Sequence, residues 1–309
     1  MQVGFRERLL AGLGGEFPES GPLNARVLKT EQREGYELRW ITYQSEPHDT
    51  IPAILLVPDG VTSANPAPAV CVWHQHNGQW HLGKAEPAGL AGNPMHHTGV
   101  DLVKLGFVVL CPDALGFEER AEGYSLSGGN LERFLYLKYV IRGKTMAWKN
   151  ILDMRRAVDF LSSLPIVSSD SIGSYGHSMG STHAYMVGPW ESRITATVCN
   201  CCLPTYEGIE ENELLHCFPN FVTGIYPEAD TPDIVSLIAP RALHMNFGEL
   251  DGGSPIKHVR AAMPEIQKVY ESMHAESNFS FYIEEGAGHV VSEQMWERTR
   301  EFFLRHLMS

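Results

Sequence analysis

An α/β domain built on a mostly parallel central sheet, with helices on both faces, is the fold class predicted by this 309-residue sequence. Three observations predict it. Short apolar runs alternate with stretches of helical period, the pattern of strand–helix–strand units. Several of those runs are apolar throughout, as strands covered on both faces are. One run passes directly into a helix pattern through Gly176-His177-Ser178-Met179-Gly180, a G-x-S-x-G sequence at a strand-to-helix junction.

The elements follow in order. Phe5, Leu9, Leu10 and Leu13 suit a short amphipathic helix, so residues 1–35 are expected to form a helical extension packed on a single domain of residues 1–309. Arg6, Glu7 and Arg8 interrupt the apolar stretch, which argues against a signal peptide. Tyr36 to Tyr43 and Ile51 to Val57 read as an antiparallel opening pair, closed by Pro58-Asp59-Gly60. Val70 to Trp73 and Gly106 to Leu110 are buried-strand runs. Between Thr145 and Ser163 the apolar residues Ala147, Ile151, Met154, Val158 and Leu161 form one helix face. Strands are expected at 171–175, 194–198, 242–247 and 279–283, and Ser292 as the N-cap of a last helix bearing Trp296, Phe303 and Leu307. Segments 79–104, 114–144 and 200–238 exceed plain connections and are expected to form lid and pocket walls.

Ser178 is the candidate nucleophile. A serine at such a sharp turn is held at positive φ, and glycines two residues before and after it remove side chains that would clash. A serine hydroxyl needs an oriented base. The chain order for this kind of site is serine, acid, histidine. His289 follows the last strand on a glycine-containing loop and is the expected base. His183 lies in the elbow helix and His244 inside a strand, so both are expected to be structural. His258 and His274 read as helix-surface residues. Gly248-Glu249-Leu250-Asp251-Gly252-Gly253 follows the preceding strand; Asp251 is the expected acid, with Glu249 as the alternative. The tetrahedral intermediate needs backbone N–H donors, each worth roughly 3–4 kcal/mol of barrier. Met179 is expected to supply one, and His76 or Gln75, in the loop after Trp73, the other. His74, His76, His81, His96 and His97 match no defensible metal-site spacing, so neither metal nor cofactor is expected.

Together these residues resemble the α/β-hydrolase superfamily, in its dienelactone-hydrolase-like and acetyl-xylan-esterase-like branch. The carriers are "IPAILLVP", "VCVWHQHNG", "GFVVLCPDALGFEER", "DMRRAVDFLSSLPIVSSDSIGSYGHSMGS", "LIAPRALHMNFGELD" and "GAGHVV". The resemblance implies an α/β-hydrolase fold, a Ser178/Asp251/His289 triad and hydrolysis of small or medium carboxylic esters. Two departures qualify it. Dienelactone hydrolases proper use cysteine where this chain has Ser178, and Gln75 stands where relatives have the glycine of a His-Gly loop. Asp113, Glu118 and Arg120 match a D-x-x-G-F-x-x-R pattern of the branch, read as structural support. A prolyl-oligopeptidase-like peptidase, C–C bond hydrolysis and a catalytically dead binding fold are the competing readings.

The remaining composition sets limits. With 24 basic and 37 acidic residues the net charge is −13, which argues against nucleic acid or an anionic membrane as partner. No apolar run approaches the roughly 18 residues of a membrane span. Cys71, Cys111, Cys199, Cys201, Cys202 and Cys217 read as free thiols, which points to a reducing cytoplasm. A small-molecule ester is the expected partner, and self-association is left open.

Overall fold

A computed structural model describes residues 2–308. Nine strands form one sheet among the described residues: β1 Arg26–Arg33, β2 Tyr36–Glu46, β3 Asp49–Pro58, β4 Ala67–Trp73, β5 Val108–Pro112, β6 Val167–His177, β7 Ile194–Asn200, β8 Ala242–Gly248 and β9 Phe279–Glu284. Their order is β1-β2-β3-β5-β4-β6-β7-β8-β9. β1, β2 and β3 run antiparallel to their neighbours, β3 pairing with β5, and β5, β4, β6, β7, β8 and β9 form the parallel part. The α-helices are α1 Gln2–Leu13, α2 Thr98–Lys104, α3 Gly128–Val140, α4 Met146–Ser163, α5 Met179–Val187, α6 Tyr206–Asn212, α7 Thr231–Ser236, α8 Ile256–Ser272 and α9 Glu293–Leu307.

The core divides across the sheet. Ala69, Cys71 and Trp73 of β4 face a cluster that includes Leu9, Ile151, Val158, Tyr185 and Ile266. Val70 and Val72, their neighbours in sequence, face a second cluster with Leu102, Phe107 and Phe303. Side chains alternate across a strand, so a parallel strand between two helical layers must be apolar at both parities. Every residue of β5 and of β8 is accordingly buried.

Residues 1–35 differ from the expectation of a helical extension. They contain α1, whose Leu9 and Leu13 are buried, and also the edge strand β1. Its sequence, RVLKTEQR, is exposed at nearly every position. With no buried face it carries no alternating apolar signal, and its charges suit an unpaired edge. Helix boundaries follow local capping: Thr145 accepts from Trp148 N at 3.1 Å and Ser292 accepts from Met295 N at 3.1 Å. None of the described helices is long and apolar enough to cross a membrane. All six cysteines are free thiols.

Candidate active site

The site begins at the end of β6. Gly176 pairs with Trp73 on one side and Cys199 on the other, and the chain then turns into α5. Ser178 occupies the turn at φ 59°, ψ −122°, and its N–H donates to Asn200 O at 2.9 Å. A Cβ at position 176 would lie 1.9 Å from the Gly180 carbonyl oxygen, and one at position 180 would lie 2.0 Å from the Trp73 carbonyl oxygen. Backbone crowds both positions, so glycine is required at each. Gly180→Ala should therefore destabilise the protein by about 1–3 kcal/mol and lower kcat/KM as the elbow opens. Urea unfolding and ester turnover measured on the same preparation test this; a fully stable, fully active variant would contradict it.

The loops after β8 and β9 meet beside the elbow. Leu250 N donates to Ala287 O at 2.7 Å and Glu249 N to Glu284 O at 3.0 Å. Gly248 permits this approach, since a Cβ there would lie 2.0 Å from Gly288 O. Across the junction His289 Nδ1 lies 2.8 Å from Asp251 Oδ2. A carboxylate oxygen accepts, so Nδ1 carries the proton and Nε2 keeps a free lone pair. Asp251 Oδ1 accepts from Gly253 N at 2.9 Å. Asp251 is buried, whereas the His289 side chain is 37% exposed. Glu249, the alternative acid, is engaged elsewhere: it accepts from Arg260 Nη2 at 2.9 Å and from Gly286 N at 3.2 Å.

Ser178, Asp251 and His289 line one open cleft of about 590 Å³, together with His76, Asn77, Glu132 and residues 214–218. Met179 opens α5 directly after Ser178. Of the two residues expected in the oxyanion loop, His76 lines the cleft. The Gln75 side chain is buried behind it and donates to Glu86 Oε2 at 3.0 Å. The expected pocket walls divide. Segments 114–144 and 200–238 supply Glu132 and residues 214–218, whereas 79–104 sends Glu86 and His96 behind the site.

The histidines of the 74–97 region go to separate partners. His74 Nε2 accepts from Ala114 N at 3.0 Å, His76 Nε2 meets Glu132 Oε2 at 2.8 Å, and His97 Nε2 meets Ala91 O at 3.0 Å. His96 stacks on His177 at 4.9 Å, and His177 lies 4.8 Å from the His289 ring. Burial holds His177 well below the ordinary histidine range, with the neighbouring His289 and His96 adding to the effect. His183 and His244 are buried, as expected of structural residues. His258 is not the surface residue that its helix suggested: it is buried, 3.1 Å from Glu211 Oε2 and 3.5 Å from Glu207 Oε2. Its helix face is covered by α6, which sequence periodicity does not reveal.

Several contributors were not anticipated. His216 Nδ1 accepts from Cys217 N, so its Nε2–H donates to Gly253 O at 2.8 Å and steadies the Asp251 loop. Glu132 reaches the cleft wall from a segment with no catalytic motif, and Trp80 Nε1 donates to its carboxylate at 3.0 Å. The D-x-x-G-F-x-x-R residues join ion pairs with Lys84 and Asp153. Lys84 Nζ meets Asp113 at 2.9 Å and Glu118 at 2.6 Å, while Arg120 meets Asp153 at 2.8 Å. Asp113, Glu118 and Glu119 bring carboxylate oxygens close enough to hold a cation, and the Lys84 ammonium already occupies that role.

Comparison with known proteins agrees with this architecture. YtaP of Bacillus subtilis (strain 168) is 28% identical over 270 residues, covering 86% of this chain and 87% of that protein. A glucuronoyl esterase from Solibacter usitatus superposes with a TM-score of 0.71 at 16% identity, over 98% of this chain and 91% of that one. Acetyl xylan esterase 1 from Thermoanaerobacterium sp. JW/SL YS485 superposes with a TM-score of 0.63 at 15% identity, over 100% and 94%. At these identities the two structures speak for the fold, which is that of the α/β hydrolases. The Abhydrolase family profile matches residues 15–292, and the chain therefore belongs to the Abhydrolase family.

Proposed function

We propose that this protein is a serine hydrolase that cleaves small or medium carboxylic esters through an acyl-enzyme. The observation that carries the reading is the Asp251–His289 hydrogen bond beside a serine held at positive φ between two obligatory glycines. His289 Nε2 takes the Ser178 hydroxyl proton as Oγ attacks the ester carbonyl carbon. The buried Asp251 carboxylate holds the imidazole in the Nδ1–H tautomer and stabilises the imidazolium that forms. The oxyanion lies against the N-terminus of α5, with the Met179 N–H as one donor and the His76 main chain as the second. His289 then protonates the departing alkoxide, and water repeats the sequence on the acyl-serine. The ester-cleaving neighbours support an ester rather than a peptide as substrate. Incubation with a fluorophosphonate, followed by peptide mass spectrometry, should place the label on Ser178; an unlabelled Ser178 in folded protein would refute the reading.

The surrounding histidines sharpen the expected pH dependence. Burial pushes His74 down to about 4, His183 to about 3 and His244 to about 4. Burial also lowers His96 and His216, and His177 falls further. In each of these rings burial favours the neutral form. Activity requires His289 neutral, so it rises with pH. The acid limb of log kcat/KM should have a slope of one; a slope of two would mean that a second ring must also lose its proton.

A further inference from the structure

The cleft wall holds a carboxylate that ester hydrolysis by the triad does not use. Glu132, on α3, lines the cleft with Ser178 and His289, and its side chain is 5% exposed. Its Oε2 accepts twice, from His76 Nε2 at 2.8 Å and from Trp80 Nε1 at 3.0 Å. Its Oε1 is buried and has no hydrogen-bond partner among the described residues. Gly78 N donates to His76 Nδ1 at 2.9 Å, so that nitrogen carries no proton and the ring gives its single proton, from Nε2, to Glu132. The donors that hold Glu132 are therefore neutral, and both converge on one oxygen. Buried polar atoms are almost always paired, and leaving one unpaired is costly. Glu132 lines the cleft while Oε1 is closed to solvent, so a small shift of the side chain would bring this unpaired acceptor to a donor carried by the substrate.

We propose that Glu132 selects substrates, with Oε1 accepting a hydrogen bond from a hydroxyl of the ester, so that the preferred substrates are esters of hydroxylated compounds. The proposal rests on the serine-hydrolase reading above and adds the substrate class. A hydroxyl fits better than an ammonium group. It has one proton to give to one vacant oxygen, whereas a buried primary ammonium has three N–H groups to satisfy, a quaternary ammonium has none to give, and both carry a larger desolvation cost. Glu132 and Trp80 also fix the His76 ring beside the elbow, so a bound hydroxyl would be registered against the reacting carbonyl.

The test compares the wild-type enzyme on 2-hydroxyethyl, 3-hydroxypropyl and 4-hydroxybutyl acetates with the propyl, butyl and pentyl acetates, in which a methyl replaces the hydroxyl. The matching methoxy esters and acetylcholine complete the set. A hydrogen bond to a charged acceptor should raise kcat/KM about 10- to 100-fold for at least one hydroxy ester over its alkyl partner. Glu132→Gln supplies the second readout. His76 and Trp80 claim its carbonyl, so an NH2 donor replaces the vacant acceptor, and the hydroxy-to-methoxy ratio should fall at least about 10-fold. The ratio is used because a shift of His76 would slow all the esters together. Turnover without hydroxyl preference at any chain length, an unchanged ratio in Glu132→Gln, or preference for acetylcholine would each overturn the proposal alone. Hydrolysis at a near wild-type rate in Ser178→Ala, or no hydrolysis of any ester, would instead overturn the serine-hydrolase reading on which it depends.

Discussion

Ser178→Ala should lower kcat/KM for p-nitrophenyl acetate by about 10⁴-fold or more, while the thermal midpoint stays near that of the wild type. The activity loss follows from removing the atom that forms the acyl bond. The unchanged stability follows from the surroundings. Ser178 is only half buried, its N–H bond to Asn200 O is a main-chain bond, and the glycines at 176 and 180 already provide the space of the turn. Residual hydrolysis from the oxyanion donors and substrate binding should still exceed that of water. His289→Gln should cost a similar factor, and Asp251→Asn about 10⁴-fold in kcat, because the amide no longer enforces the Nδ1–H tautomer. Combining Ser178→Ala with His289→Gln should cost little more than either change alone, since the residues act as one unit. Retention of most activity in Ser178→Ala would remove the basis of the proposed mechanism.

The largest stability effect is expected at Asp153, which does not line the cleft. Asp153 on α4 is buried, with Oδ2 2.8 Å from Arg120 Nη1 and Oδ1 2.7 Å from Lys149 Nζ. Ser45 also donates to it. Asp49 bridges the same two cations, and Glu46 lies 2.8 Å from Lys149. Asp153→Asn keeps the shape and removes the central charge, leaving two buried cations to the more exposed Asp49 and Glu46. Breaking a buried pair in this way costs about 3–5 kcal/mol. For a chain of this size that amounts to a fall of roughly 5–8 °C in the thermal midpoint.

The pH dependence of this effect has a definite sign. Burial alone would raise the Asp153 carboxyl, but Arg120 and Lys149 outweigh it and hold the group below its ordinary range. A depressed carboxyl contributes stability above its unfolded pKa of about 3.9 and loses it as pH falls through the folded value. The gap between wild type and Asp153→Asn should therefore be full at pH 7 and shrink as pH falls below 4. Urea unfolding at several pH values measures it. A gap under about 1 kcal/mol at pH 7 would mean that Asp49 and Glu46 carry the pairing by themselves.

The sequence by itself determined those features whose physical cause is local. Strand and helix periods are read within a dozen residues, and the parallel strands are apolar at both parities because helices cover both faces. The elbow was legible because the clash that requires glycine at 176 and 180 arises within a five-residue turn and the strand beside it. The positions of Asp251 and His289 follow from chain order after successive strands. Tertiary structure decided whatever depends on which distant segment covers a residue. The choice between Asp251 and Glu249 rests on which carboxylate meets the His289 ring, since both touch the loop after β9; the two stand two residues apart and look equivalent in one dimension. His258 reads as surface until α6 lies over it, and β1 has no apolar face to announce it. Lys84 and Lys149, which composition would place in solvent, are buried because carboxylates from other segments surround them. Glu132 gave no motif at all. Its position in the cleft exists only once α3 is packed against the loop after β4, and the energy of an unpaired buried oxygen is set by that enclosure rather than by any neighbour in sequence.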